Sequence, residues 1–473
     1  MILRPLATAP APLAARGHTG WRPAGTDAVT MLTIYIVLLY GFPSSLSISF
    51  LGSFGRPQFL WGLVLLGWWL LARLQPTQSV RSVPQPVRIA LGLFLVICLV
   101  SFAHALLRGQ PVDQISPAAS ALVRLLSWTG VVLVAMDGIR SMSDLMKLVR
   151  RLAFAGGAMA ALGLLQFLTD QPIIDFLTGL PGFSGDAGGI DSRGGFVRPA
   201  GTATHPLEYA TAIAVALPLA LACTIVGDAG RRRARWWLPV AVIALASFLA
   251  VSRSAVIGFG IAVVAAVPGL PARFRPLAGS VILIAFAGAM VAVPGLYGTI
   301  VGMFLGVGDD PSALSRTAAL DLLPTFLASS PLIGAGIGTF LPRYYIFDNQ
   351  WAQMIVEIGV LGAAAFAGVL LAAIWSAWRA TRRSHLEDLQ VVGRCLCACV
   401  VTVGVLFGLF DGLAFPISAG TAFLVVGMCA AARTVGLSDS WATTVGMLPD
   451  TVRADTVSAA PVTARQRVMA LPR

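Results

Sequence analysis

An all-α polytopic membrane protein with about twelve transmembrane helices is the fold class this sequence predicts, and three observations predict it. Hydrophobic residues make up 57% of the 473-residue chain and charged residues only 11%, with a mean hydropathy of +0.83. A water-soluble domain of this length does not carry that balance. Apolar runs of about 17–25 residues, the length that crosses a bilayer, recur along the chain. Basic residues gather in short clusters beside the ends of those runs, as topology signals do. The net charge of +12 would point to nucleic acid in a soluble protein. Placed as it is here, it reads as membrane topology, and no nucleic-acid partner is expected.

Residues 1–27 hold Arg4, Arg16 and Arg22 among Pro and Ala, without an apolar core followed by a small-residue cleavage site, and read as a cytoplasmic tail, not a signal peptide. Spans follow near 30–50, 58–74, 88–107, 117–136, 148–169 and 206–226, then 236–251, 254–270, 276–294, 351–378, 391–410 and 417–434. Together they make a membrane domain over 28–434. Residues 435–473 lack a spanning run and read as a second tail.

With the N-terminus inside, seventeen basic residues fall in inner loops, from Arg73 to Arg394. Seven fall outside: Arg56, Arg108, Arg193, Arg198, Arg253, Arg316 and Arg343. Positive charge is retained on the cytoplasmic side, so both termini are expected there, in a plasma membrane.

Two outer loops, about 170–205 and 295–350, are long enough to carry function. The second should hold an amphipathic helix over Ala313–Ala328, capped by Asp310, opened by Pro311 and stopped by Pro331. Cys395, Cys397 and Cys399 mimic a metal cluster, but positions i and i+2 of a helix face apart and no His or acidic partner lies near. Neither metal nor cofactor is expected.

The candidate site residues are polar groups where polar groups are costly. Ser252-Arg253-Ser254 interrupts about 34 apolar residues, and a lone charge near the interface costs on the order of 1–3 kcal/mol. Arg198 precedes a span that opens at His205-Pro206, where a helix N-terminus adds backbone N–H donors. His205 and Glu208 are ordinary capping residues for that helix, Glu208 returning a bond to the cap backbone. Asp348, Asn349 and Gln350 stand just before another span, where Asp348 is either a helix cap or a working carboxylate. Arg316 and Arg343 complete the set of charges in the second loop. The glycine run from Gly334 to Gly338 follows no strand, so it is not a nucleotide-binding loop.

In order and spacing these segments are similar to the O-antigen ligase and Wzy-type polymerase family. The likeness rests on the Arg198-Pro199 loop, the Ser252-Arg253-Ser254 turn, and the Arg316 helix running to Pro331-Leu332-Ile333-Gly334-Ala335-Gly336. Asp348-Asn349, Glu357-Ile358-Gly359-Val360-Leu361-Gly362 and the Phe410-Asp411 stretch continue it. It covers about 190–365. The resemblance implies a GT-C-like fold and metal-independent, inverting glycosyl transfer outside the plasma membrane, from a saccharide on undecaprenyl pyrophosphate. It implies a pyrophosphate held by Arg198 and Arg253, with Arg316 a weaker third, and supporting contacts from His205, Arg343, Asn349 and Gln350. Guanidinium forks suit phosphate oxygens. Asp348 stands where ligase members carry a histidine and polymerase-like members more often an acid. Polymerisation is therefore expected, with Asp348 as general base and a flippase and chain-length regulator as partners. Transfer of finished glycan to another acceptor, and transport without catalysis, are the alternatives.

Overall fold

Every expected span contains a helix, because in lipid a backbone must satisfy its own N–H and C=O groups, but the first ends at Tyr40, well short of its expected end near 50. The computed structural model describes residues 27–74, 84–185, 191–193, 195–227, 234–305, 311–328 and 330–446. Among these, nine helices are long and apolar enough to cross a membrane. They are α2 (Pro57–Leu74), α3 (Pro86–Leu107), α4 (Val112–Gly138), α5 (Met142–Thr169), α6 (Pro206–Ile225), α9 (Arg275–Ala292), α12 (Gln350–Arg383), α13 (Glu387–Leu406) and α14 (Pro416–Gly446). The other three expected spans are the shorter apolar helices α1 (Ala28–Tyr40), α7 (Trp237–Leu249) and α8 (Arg253–Ala266). The chain is a multi-pass membrane protein.

Local chemistry sets the helix ends. Asp27 caps α1 by accepting from Thr30 N at 2.7 Å, and Ser141 caps α5 by accepting from Asp144 N at 3.1 Å. Proline opens α2, α3, α6 and α14, where its missing N–H is not needed.

At the centre, α6 is buried along its whole length, packed among α5, α7, α8 and α13. Small residues permit close approach: a Cβ on Gly156 would collide with Ala216 of α6, and one on Gly163 with Tyr209. The same rule governs α2 and α4. A Cβ on Gly62 would strike Ser127, one on Gly130 would strike Gly62 O and Leu66, and Ser127 Oγ donates to Phe59 O at 2.9 Å. This register brings Arg124 of α4 level with Arg56 at the head of α2.

The two ends of the bundle differ. At one, Asp137 of α4 accepts from Arg73 of α2 at 2.6 Å, from Trp69 Nε1 at 2.8 Å, and from Arg88 of α3, tying three helices together. The other carries the long connections and is called the loop end here.

The structure departs from the sequence expectations in four places. The first long loop carries one short antiparallel hairpin, β3 (Asp191–Arg193) with β4 (Phe196–Arg198), and a strand, β2 (Phe183–Ser184), that pairs antiparallel with β1 (Ser47–Ile48) from the α1–α2 connection, a stretch expected to belong to the first span. The second holds a helix the sequence did not announce, α10 (Leu296–Leu305), ahead of the expected one, α11 (Pro311–Leu327). Contrary to expectation, α11 is not sharply amphipathic. Leu314, Leu320 and Leu322 are exposed on different sides, while Ala319 is buried in a cluster with Phe347. Asp310, its expected cap, lies outside the described residues. Helix α14 runs twelve residues past the tail boundary at 434, because Val435 is buried and Asp439 accepts from Ser384 Oγ at 2.7 Å, fastening the extension to the α12–α13 turn. Of the other expected tail, 1–27, residues 1–26 lie outside the described residues.

Candidate functional site

The loop end is organised by a break in α12. Gly359 has φ +73, so the helix opens there and frees backbone groups that must be satisfied. The glycine run of the second loop satisfies them: Ala335 N donates to Val356 O at 2.9 Å, Gly336 N to Glu357 O at 2.8 Å, Val360 N to Pro331 O at 3.0 Å and Leu361 N to Leu332 O at 3.2 Å. Gly334 also has positive φ, and a Cβ there would collide with the Glu357 backbone. The glycine run is thus a backbone clamp on α12. It fixes Glu357, whose carboxylate accepts from Gly338 N at 3.0 Å and from Gln353 Nε2 at 3.3 Å.

A second device sets the neighbouring carboxylates. Asn349, not Asp348, caps α12, its Oδ1 accepting from Trp351 N at 2.9 Å and Ala352 N at 3.2 Å. Capping therefore does not account for Asp348. Gln350 is buried and stitches on the turn after α13: its N–H donates to Phe407 O at 2.8 Å and Phe410 O at 3.1 Å, and its Oε1 accepts from Leu413 N at 2.7 Å. That turn carries Asp411 into electrostatic reach of Asp348 and Glu357. Burial, with these two like charges added, pushes the Asp411 carboxyl up to about 7.

A cavity of about 320 Å³ lies at the same end of the bundle, lined in part by Ala414 of the turn that carries Asp411. Its walls are the head of α2 with the segment before it (Phe54, Arg56, Phe59, Leu60, Leu63), one face of α4 (Ser116, Pro117, Ser120, Val123, Arg124) and Ala414. Ser116, Ser120 and Arg124 follow one another at i, i+4, i+8, and so share one stripe of α4. Arg124 is within electrostatic reach of Arg56 and Glu357, and Arg56 of Glu208.

Glu208 is a structural hub. It is fully buried and accepts from Ile417 N at 2.7 Å, Ser44 Oγ at 2.8 Å and Thr204 N at 3.1 Å. Its returning bond therefore goes one residue before the cap, not to the cap backbone. His205 caps α6 as expected, Nδ1 accepting from Leu207 N at 3.2 Å, and its ring lies 5.5 Å from that of Phe415.

The expected arginines are carried by elements other than α12 and the turn after α13. Arg198 is half-buried on β4, whose Phe196 approaches Gly295 at the head of α10. Arg253 is half-buried in the first turn of α8, between buried Ser252 and Ser254 and just after Val251, a β-branched residue held at φ +43. Gly258 packs on Leu406, so Arg253 lies beyond the end of α13, on the same end of the bundle as Asp411. Arg343 is committed to Asp113 and to the Tyr344 hydroxyl at 2.9 Å, which docks its loop on α4. The side chain of Arg316 lies outside the described residues.

Arg124, Glu208 and Glu357 are charged residues inside helices. A lone arginine within an apolar run is the signal that could have found Arg124. Cys397 and Cys399 point to different helices, Cys397 Sγ donating to Ile374 O of α12 at 3.4 Å and Cys399 Sγ to Val215 O of α6 at 3.2 Å. No protein-family model matches the sequence, and no curated protein matches it.

Proposed function

We propose that the protein is an extracytoplasmic glycosyltransferase that polymerises oligosaccharide units carried on a polyprenyl pyrophosphate. The observation that carries this reading is the carboxylate group at the loop end. Asp348 is uncommitted to capping and lies within electrostatic reach of Asp411, at the end of the bundle that also carries Arg253. That combination suits removal of a proton from a sugar hydroxyl close to a negatively charged leaving group. The loop end then faces the exterior and the Asp137 end the cytoplasm, which agrees with the excess of basic residues on the latter side.

In this reading Asp348 takes the acceptor hydroxyl proton, the hydroxyl oxygen attacks the anomeric carbon of the donor, and the carbon–oxygen bond to the diphosphate breaks with inversion. The diphosphate leaves with the electron pair, its charge met by the guanidiniums of Arg253 and Arg198, and Arg316 adds a third cation. His205, Asn349, Gln350 and Arg343 position the elements around the substrate. A flippase and a chain-length regulator are the protein partners such a polymerase would meet.

Incubation of the purified protein with lipid-linked oligosaccharide, followed by gel electrophoresis, tests the proposal. A ladder of products is expected. A single transfer to a second lipid or protein would mean a ligase, and no product with translocation of the lipid would mean a transporter.

A further inference from the structure

The cavity between α2 and α4 holds a feature that the transfer reading does not use. Two guanidiniums, Arg56 and Arg124, line one half-open cavity close enough to repel each other. Neither has a hydrogen bond or ion pair among the described residues, and Arg124 Nε is shut off from solvent without a partner. Arg56 is supported only by the Phe59 ring, 5.8 Å from its guanidinium carbon. Glu357 and Glu208 exert long-range attraction but spend their oxygens on the backbone and hydroxyl donors of their own hubs. Two half-buried like charges without partners are an arrangement that an anion stabilises.

The rest of the lining says what kind of anion. Ser116 and Ser120 offer hydroxyls on the arginine stripe, while Phe54, Phe59, Leu63 and Val123 are apolar. On the same segments Phe50, Val112 and Ile115 are exposed apolar residues. The register of the Gly62–Gly130 crossing puts both arginines at the head of α2, the level at which a spanning helix meets lipid headgroups. A pair of guanidiniums matches two negative charges, which a terminal phosphate or diphosphate carries and a phosphodiester lipid does not.

We infer that this cavity is a binding site for a lipid with a terminal phosphate or diphosphate on a long apolar chain, held by Arg56 and Arg124, and separate from the Arg198 and Arg253 positions. The inference rests on the proposed transfer chemistry only for the source of such a lipid. A polymerase handles two lipid-linked molecules at once, and a second phosphate site is what the second molecule requires.

The test is native mass spectrometry of the full-length, delipidated protein titrated with a polyprenyl phosphate, the matching polyprenol, phosphatidylglycerol and inorganic pyrophosphate. Binding of the polyprenyl phosphate at least about tenfold tighter than that of the other three is expected, and Arg56→Gln with Arg124→Gln should weaken it by at least about tenfold. Ser120→Leu, which fills the cavity and keeps both charges, should weaken it as well and guards against a double variant that fails to fold. Unchanged binding in Ser120→Leu or in a folded double variant overturns the inference. So does equal binding of the polyprenol or of phosphatidylglycerol, or displacement by an equal concentration of pyrophosphate. The two proposals fail separately: normal polymer formation by Asp348→Asn removes the base assignment and leaves lipid binding untouched.

Discussion

Arginines gather at both ends of the α2–α4 pair, and the two ends are built on opposite principles. At the Asp137 end, Arg73 and Arg88 converge on one carboxylate that also accepts from Trp69, so charge closes the structure. At the loop end, Arg56 and Arg124 face a cavity with neither hydrogen bond nor ion pair among the described residues, and the fold is closed by backbone bonds across the glycine clamp. Charge used for stability is neutralised within the protein. Charge kept for a ligand is left to be neutralised by it, and backbone geometry takes over the structural task.

The largest effect should come from the clamp itself. Gly359→Val places a β-branched residue at φ +73 with its Cβ against Leu332 O, and should cost more than about 4 kcal/mol, abolishing a monodisperse peak in fluorescence-detected size exclusion. In contrast Gly260→Ala, where nothing lies within 4 Å of the added Cβ, should change the melting temperature little. Equal tolerance of the two would deny the clamp its role.

Breaking the opposite end is next in size. Asp137→Leu strands two guanidiniums and should destabilise by about 2–3 kcal/mol while leaving transfer by the folded fraction intact. Loss of specific activity without a fall in melting temperature would reverse the assignment of the two ends.

Asp348→Asn and Arg253→Lys should leave stability unchanged and act on turnover. A drop of about 100-fold or more is expected for Asp348→Asn, and of at least about tenfold for Arg253→Lys, since a point charge does not reproduce a bidentate fork. Polymer length on gels reads both, and normal length would remove the corresponding role.

The smallest effect concerns pH. Asp411 titrates near 7 in the folded protein and lower when unfolded, so the folded state binds the extra proton. The stability this contributes is fully present below about pH 4 and is lost as pH rises through about 7. Asp411→Asn should therefore melt higher than the wild type at pH 8, by on the order of 1 kcal/mol, with the difference gone at pH 4. A pH-independent difference would show that the carboxyl is not displaced by its surroundings.

Much of the site was legible in fragments. Composition picked out the loops and the costly polar residues, and the ordinary capping reading of His205 holds. The sequence left Asp348 open between a helix cap and a working carboxylate, because an aspartate suits both roles. The cap is assigned only where Asn349 Oδ1 meets two backbone N–H groups. Nor could the sequence pair Arg56 with Arg124, which lie in different helices and meet only through the register of a glycine crossing.

The sequence by itself determined that the chain crosses a membrane many times, that helices open at Pro206 and Pro311, and that polar residues survive at a cost. These follow from local rules: apolar length against bilayer thickness, caps, and the missing N–H of proline. Only the tertiary structure decided that the glycine run serves the broken helix α12, that Asp411 joins Asp348, and that two arginines share a cavity. Those contacts join residues tens to hundreds of positions apart. They depend on how closely backbones can approach, which no pattern along the chain encodes.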